Sequence, residues 1–318
     1  MLQELTAAVE RFSTMDGQRY ERGDLGAYHR ILANVHGICG LIVALERSGA
    51  TRKDLLPTLE PARAIYGKSP FGSRLQKWPR GYAGDFETVE YICDCANRVE
   101  EPSLAHYLEE MSLRCPIAAQ HRGKIRHQAD LVHQTIQTKA APAILSVGCG
   151  GCRDLMLITH ELGARPCKLV LNDLESDAIQ LAEARLSRTS AQRHYVVNTV
   201  LRPEALDQIS RHGPYDLVVL GGVLDYFSDK LTVFLIKRLY SLLKPDGRLF
   251  FTNIHAGNVY RPWMEYLADW FLIERSMEDI ARLTTACGIA PERVSASLDL
   301  TGLTLLVQLS APGGTMAT

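Results

Sequence analysis

The sequence predicts an α/β protein, a doubly wound and mostly parallel seven-stranded sheet preceded by an all-helical domain. From residue 143 onward, short β-rich runs alternate with segments of helical period, the pattern of strands joined by crossover helices. The first run, Ala-Ile-Leu-Ser-Val, opens directly into Gly148-Cys149-Gly150-Gly151, so a strand ends where side chains have been removed from the backbone. Before residue 140 the alternation is missing. Apolar residues there recur at three and four positions, the period of helices. The division falls into residues 1–139, a helical domain placed as a lid, and residues 140–318, a nucleotide-binding domain.

In order along the chain, helices are expected over 2–12, through the stripe Ile31, Leu32, Val35, Ile38, Leu41, Ile42 and Leu45, and over 86–97, 102–113 and 116–139. The stripe ends at Ser48-Gly49, a stop signal. The stretch Ser69-Pro-Phe-Gly-Ser through Trp78-Pro-Arg-Gly-Tyr-Ala-Gly-Asp is dense in turn formers and aromatics. Strands are expected over 144–148, 168–172, 194–198, 216–220, 248–253, 293–298 and 303–309, with an aromatic insertion at 254–272. The last two are joined only by Asp299-Leu300-Thr301-Gly302. That link is too short for a parallel crossover, so they form an antiparallel hairpin.

Composition narrows the function classes. The chain has 318 residues, 46% hydrophobic and 22% charged, with net charge −1. This length supports a large core or two domains, and near-neutrality argues against a broad nucleic-acid footprint. The basic segment His121-Arg-Gly-Lys-Ile-Arg-His reads as a solvated helix face. The start shows no basic region followed by an apolar run, and no apolar stretch reaches the length of a membrane span, so a cytoplasmic protein without membrane or nucleic-acid partners is expected. Oligomeric state is not legible. Eight cysteines are expected to be buried thiols. Cys149 and Cys152 make a Cys-x-x-Cys, but no second pair completes a zinc set and no His-Glu-x-x-His spacing occurs, so no metal is expected.

The glycine turn points to a nucleotide pocket. The helix from about Arg153 directs free N–H groups at it, and Asp173, ending the second strand, offers a carboxylate to both hydroxyls of a ribose. A dinucleotide site needs a third glycine on that helix, and Arg153 stands there. Candidates to line a reaction chamber are Tyr82 and Asp85, Asp225 and Tyr226 after the fourth strand, Asn253 and His255 after the fifth, and Tyr260 and Trp263 in the insertion. Tyr82 equally suits packing of the helical domain. His255 is the preferred proton acceptor, at the end of a strand that faces the ligand crevice.

Five motifs in order carry a resemblance: the turn after the first strand, the acid after the second, Tyr215-Asp216-Leu-Val-Val-Leu, Leu243-Lys-Pro-Asp-Gly-Arg and the terminal hairpin. Over residues 140–310 the chain resembles the class I S-adenosylmethionine (SAM) methyltransferases, which implies a Rossmann-like sheet and SAM as cofactor. The resemblance places Gly148, Gly150 and Gly151 at the methionine portion and Asp173 on the ribose. It also implies adenine contact near Thr199 and Val200, and a loop Gly221, Gly222, Asp225, Tyr226 facing the sulfonium.

Pro79-Arg-Gly-Tyr-Ala-Gly-Asp-Phe-Glu, Gly222-Val-Leu-Asp-Tyr-Phe-Ser-Asp and Met264-Glu-Tyr-Leu-Ala-Asp-Trp-Phe-Leu are similar to a bacterial subgroup named after 3-hydroxypalmitic acid methyl ester biosynthesis. Ala83 stands where that subgroup has proline, and Asp246 where its turn has glycine, a position Asp tolerates. The implied activity is methylation of a small carboxylate, amine or hydroxyl in bacterial secondary metabolism or signalling. The alternative keeps SAM as sole substrate, cyclised to azetidine-2-carboxylate with release of methylthioadenosine, as in related synthases. A non-catalytic SAM-binding module is disfavoured, because a polar and aromatic chamber exceeds what binding alone needs.

Overall fold

The computed structural model describes residues 1–313. By contact the chain forms two compact units, Met1–Ala119 with Gly257–Phe271, and Gln120–Ala256 with the residues from Leu272 onward. This division differs in two places from the one drawn at 139/140: residues 120–139 group with the sheet, and 257–271 with the helices.

The helical unit contains α1 (Leu2–Ser13), α2 (Leu25–Arg47), α3 (Arg52–Tyr66), α4 (Pro70–Lys77), α5 (Phe86–Asp94) and α6 (Leu104–Arg114). Side-chain caps start most of them: Asp24 accepts from Ala27 N, Ser69 from Gly72 N, Asp85 from Thr88 N and Ser103 from His106 N. Helix α3 was not expected, because Pro57 and Pro61 lie inside it and each removes a backbone donor. A Thr51–Asp54 capping box opens it, and Leu55, Leu59, Ala62 and Ile65 bury one face at spacings of three and four. Tertiary burial outweighs the lost hydrogen bonds. Helix α2 is long and apolar enough, by length and composition alone, to cross a membrane, which corrects the sequence reading. Here its Ile31, Val35, Ile38, Cys39, Ile42 and Leu45 are buried.

The aromatic insertion belongs to this unit's core rather than standing as a free chamber wall. A π-helical turn over Trp263–Leu267 sets Trp263 edge-on to Tyr66 at 4.7 Å and to Phe12 at 6.0 Å, and Tyr260 packs against His36. Large rings gain most when wholly removed from water. Both are buried, which corrects the expectation that they line a chamber. Arg261 pairs with Glu46 and Glu265, while Arg52 and Arg63 converge on Asp269.

The sheet unit holds most of α7 (Pro116–Thr138), then β1 (Ala143–Val147), α8 (Arg153–Met156), α9 (Thr159–Ala164), β2 (Lys168–Asp173), α10 (Ser176–Leu186) and β3 (Gln192–Val197). It continues with α11 (Pro203–His212), β4 (Tyr215–Leu220), α12 (Asp229–Tyr240), β5 (Leu243–Ile254), α13 (Met277–Ala286), β6 (Val294–Leu298) and β7 (Thr304–Ser310). The strand order is β3-β2-β1-β4-β5-β7-β6. Strands β1 to β5 run parallel, and β7 is antiparallel to both β5 and β6, so the fold class and the terminal hairpin are as the sequence predicts.

Alternation within the strands builds a core on each face. Leu145, Val170, Val218 and Leu249 join one cluster, and Ile144, Leu169, Leu171, Leu217 and Phe250 the other, as a sheet covered on both sides requires. Asp216 locks neighbouring strands, accepting from Ala143 N at 2.8 Å and from Lys244 Nζ at 2.6 Å. In the turn before the long run of β5, Asp246 adopts φ +60°, the left-handed conformation that Asp tolerates in glycine's place.

Candidate active site

Strand order reverses beside β1, whose neighbours in the sheet are β2 and β4. A crevice opens at such a switch point, beyond the carboxyl ends of the strands. The glycine turn lies there and is pinned from behind. Cys149 N donates to Asn172 O at 3.0 Å, Gly150 N to Asp173 Oδ2 at 2.8 Å, and Arg185 holds Gly151 O at 2.7 Å. Gly148 has φ +60°, and a Cβ there would come 2.3 Å from the Val223 methyl. Glycine is therefore required twice over, by backbone conformation and by the close approach of the loop after β4.

Asp173 is 8% exposed. Its second oxygen accepts from Glu175 N at 3.0 Å, and burial raises its carboxyl above the ordinary range against the backbone donors of Glu175, Gly150 and Leu174. The carboxylate's roughly four lone-pair positions exceed these three donors, so the group can still receive a hydroxyl. The end of β3 is tied in by Asn198 N donating to Asp173 O and by Asn172 Nδ2 donating to Asn198 O. Thr199 follows, half-buried. Val200 instead packs in the apolar core cluster on one face of the sheet.

The loop after β4 forms the opposite wall. Asp225 is 4% exposed. Its Oδ1 accepts from Ile254 N at 2.8 Å, and its backbone carbonyl accepts from Ile273 N at 2.7 Å. Burial pushes its carboxyl up to about 6, against the pull of Lys124 and Arg275. Tyr226 is 44% exposed. Arg275, 2% exposed and not singled out from the sequence, holds the loop in shape. Its guanidinium donates to Leu224 O, Phe227 O, Asn253 Oδ1, Asp229 and Thr232.

That clamp consumes Asn253, whose Nδ2 donates to Ile254 O and Ile273 O. A side chain with every hydrogen-bonding group committed to the fold is a poor choice for substrate chemistry. His255 is bridged to Arg275 through the backbone, and its ring lies within electrostatic reach of Glu278 at the start of α13. Tyr82 and Asp85 belong to the helical unit. Asp85 is buried there as the cap of α5, pairing with Arg74 at 2.5 Å and accepting from Thr88 N.

The sequence reading missed α7. Far from a solvated face, His121, Lys124 and Gln128 are buried. Burial and the charges of Lys124 and Arg122 hold the His121 imidazole well below its ordinary value, so its ring is neutral, and its Nε2 is buried without a partner. Gln128 Nε2 is likewise unpartnered. Such groups usually mark a ligand or water. The signal available in the sequence was their shared helical face, at positions 121, 124 and 128; Lys124 and Gln128 on it approach Gly222 and Gly221 after β4.

All eight cysteines are free thiols, four buried and four half-buried. The hydrogen bond between Cys149 and Cys152 raises the first thiol, with burial adding to it; the same bond lowers the second, but burial there leaves it raised as well, which makes both poor nucleophiles. Among the described residues no cluster of three or more His, Cys, Asp or Glu is placed to hold a metal.

Residues 145–249 match a family described as a methyltransferase domain. An arsenite methyltransferase from Aquipseudomonas alcaligenes is 27% identical over 117 residues, which is 36% of this chain and 33% of that protein. The chain thus spans about a third of the curated relative it matches. Among solved structures, a possible exported protein from Bordetella parapertussis aligns over 97% of both chains with TM-score 0.62 and 16% identity, which establishes a shared fold. Magnesium protoporphyrin IX methyltransferase from Synechocystis PCC 6803 aligns over 61% of this chain and 86% of that one at 15% identity, with TM-score 0.45, too loose a likeness to bear on mechanism. Residues 145–249 thus match a methyltransferase domain, and they carry the glycine turn, Asp173 and the central strands of the β3-β2-β1-β4-β5-β7-β6 sheet.

Proposed function

We propose that the chain transfers the methyl group of SAM to an oxygen or nitrogen nucleophile of a small acceptor. The observation that supports this most directly is the convergence, within one unit, of the pinned glycine turn, Asp173 with a spare lone pair, and buried unpartnered polar atoms on α7. These residues fit SAM. Asp173 accepts a ribose hydroxyl, the turn lets the aminoacyl chain approach the backbone, and the end of β3 at Thr199 borders the adenine. When bound, the cofactor supplies a methyl group activated by a sulfonium.

The chain's part is mostly alignment and exclusion of water, which suffice for much of an in-line displacement. Arg275 fixes the loop bearing Asp225 and Tyr226, and the buried, unpartnered Nε2 of His121 offers a hydrogen bond to a polar group of the acceptor.

The test is product identity. The purified chain is incubated with SAM, first alone and then with panels of carboxylic acids, amines and phenols. S-adenosylhomocysteine that forms only with an acceptor, and is lost with Asp173→Ala, is the expected result. Methylthioadenosine released from SAM alone, above the spontaneous background, overturns the proposal in favour of cyclisation.

A further inference from the structure

Helix α7 faces the carboxyl ends of β4 and β5 with polar side chains where a core helix would be apolar. Gln120, Lys124 and Gln128, one helical turn apart, are each 4% exposed. Gln120 is accounted for, since its Oε1 accepts from the Thr304 hydroxyl at the start of β7. Gln128 is not: its Nε2 is buried without a partner, and it lies 2.3 Å from where a Cβ on Gly221 would stand. Lys124 Nζ lies 3.0 Å from the equivalent point on Gly222, with Asp225 Oδ2 at 3.5 Å. The two glycines after β4 thus make room for two donor groups.

The donor balance indicates what is received. The amide nitrogen of Gln128 has two donors, and the Lys124 ammonium beside it brings positive charge. Asp225 is the acidic neighbour on this loop, and one of its oxygens is already engaged by Ile254 N. A buried donor left unmade destabilises the fold, and an acceptor-only group entering beside it removes that cost. We propose that Gln128 and Lys124 form a carboxylate-binding site over the Gly221–Gly222 corner of the loop. The inference rests on the SAM reading above and deepens it. The carboxylate comes either from the aminoacyl end of the cofactor or from the acceptor.

Calorimetry on the full chain separates these sources. The first arm compares S-adenosylhomocysteine with its decarboxylated analogue, which keeps the amine, on wild type, Gln128→Leu, Gln128→Glu and Lys124→Met. If the site holds the cofactor, S-adenosylhomocysteine weakens on the order of tenfold to a hundredfold, as for hydrogen bonds to a charged group, while the analogue is unaffected. Gln128→Glu, which keeps the shape but opposes a carboxylate, then loses most. The second arm titrates formate, benzoate and benzamide into protein saturated with S-adenosylhomocysteine. If the site holds the acceptor, both nucleosides bind the variants normally and the acids lose affinity while benzamide does not.

The proposal is overturned if the variants bind every probe as wild type does, or if both nucleosides weaken together. Wild type that binds neither nucleoside overturns the SAM reading itself, and this site with it, and is recognised before any variant is made.

Discussion

Asp154 shows how a single buried carboxyl sets a pH dependence. It follows the glycine turn in α8, is 4% exposed, and has Leu155 N as its hydrogen-bond donor at 2.9 Å. Burial raises it from an ordinary 3.8 to about 6. Between those values the fold holds a proton that the unfolded chain has released, so stability falls as pH rises from about 4 to 6 and stays lower above it. The ionised group costs the fold at most about 3 kcal/mol. Asp154→Asn keeps the acceptor and removes the titration. Urea unfolding should show the variant close to wild type near pH 4.5 and more stable by about 1–3 kcal/mol at pH 8. Equal destabilisation at both pH values would mean the carboxylate is retained for packing or for a partner. No pattern in the sequence marked Asp154, because burial depends on how α8 docks and one acid in a four-residue helix has no periodicity to read.

At the scale of elements, the contact of α7 with the loop after β4 is the joint on which the site depends. Gly221→Ala would put a Cβ 2.3 Å from Gln128 Nε2, and the amide end of Gln128 can swing away where backbone could not. The substitution should therefore cost only about 1–3 kcal/mol, as overpacking does. In a double-mutant cycle with Gln128→Ala, which removes the obstructing atoms, most of that cost should disappear. Additive costs would show that the loop backbone, not Gln128, resists the methyl group.

This joint also marks the limit of the sequence reading. The strands were legible because each is a short apolar run bounded by turn residues, and the terminal hairpin followed from the tight link at residues 299–302. Helix α3 was hidden by Pro57 and Pro61, whose local penalty is real but smaller than the burial that Leu55 and Leu59 gain. Lys124 and His121 were read as solvated because charge and ring nitrogen predict exposure. Only the docking of α7 onto β4 and β5 takes them out of water. Asn253 went the other way, since its position at a strand end suggested chemistry and Arg275, 22 residues later, claims it for the fold.

For the molecule as a whole, two units with separate cores should not unfold as a single two-state system. All three tryptophans, Trp78, Trp263 and Trp270, fall in the helical unit, so tryptophan fluorescence reports the melting of that unit and is silent for the sheet. Differential scanning calorimetry sees both. The proposed SAM contacts at Gly148–Gly151, Asp173 and the loop after β4 all belong to the sheet unit. A ligand that binds only the folded form stabilises it by about 2.7 kcal/mol at a hundred times its dissociation constant. For a unit of this size that corresponds to roughly 5–10 °C. Saturating S-adenosylhomocysteine should therefore raise the calorimetric transition that tryptophan fluorescence does not follow, and Asp173→Ala should abolish the rise. A shift confined to the fluorescent transition, with the silent one unmoved, would place the nucleoside on the helical unit and remove the glycine turn and Asp173 from its site.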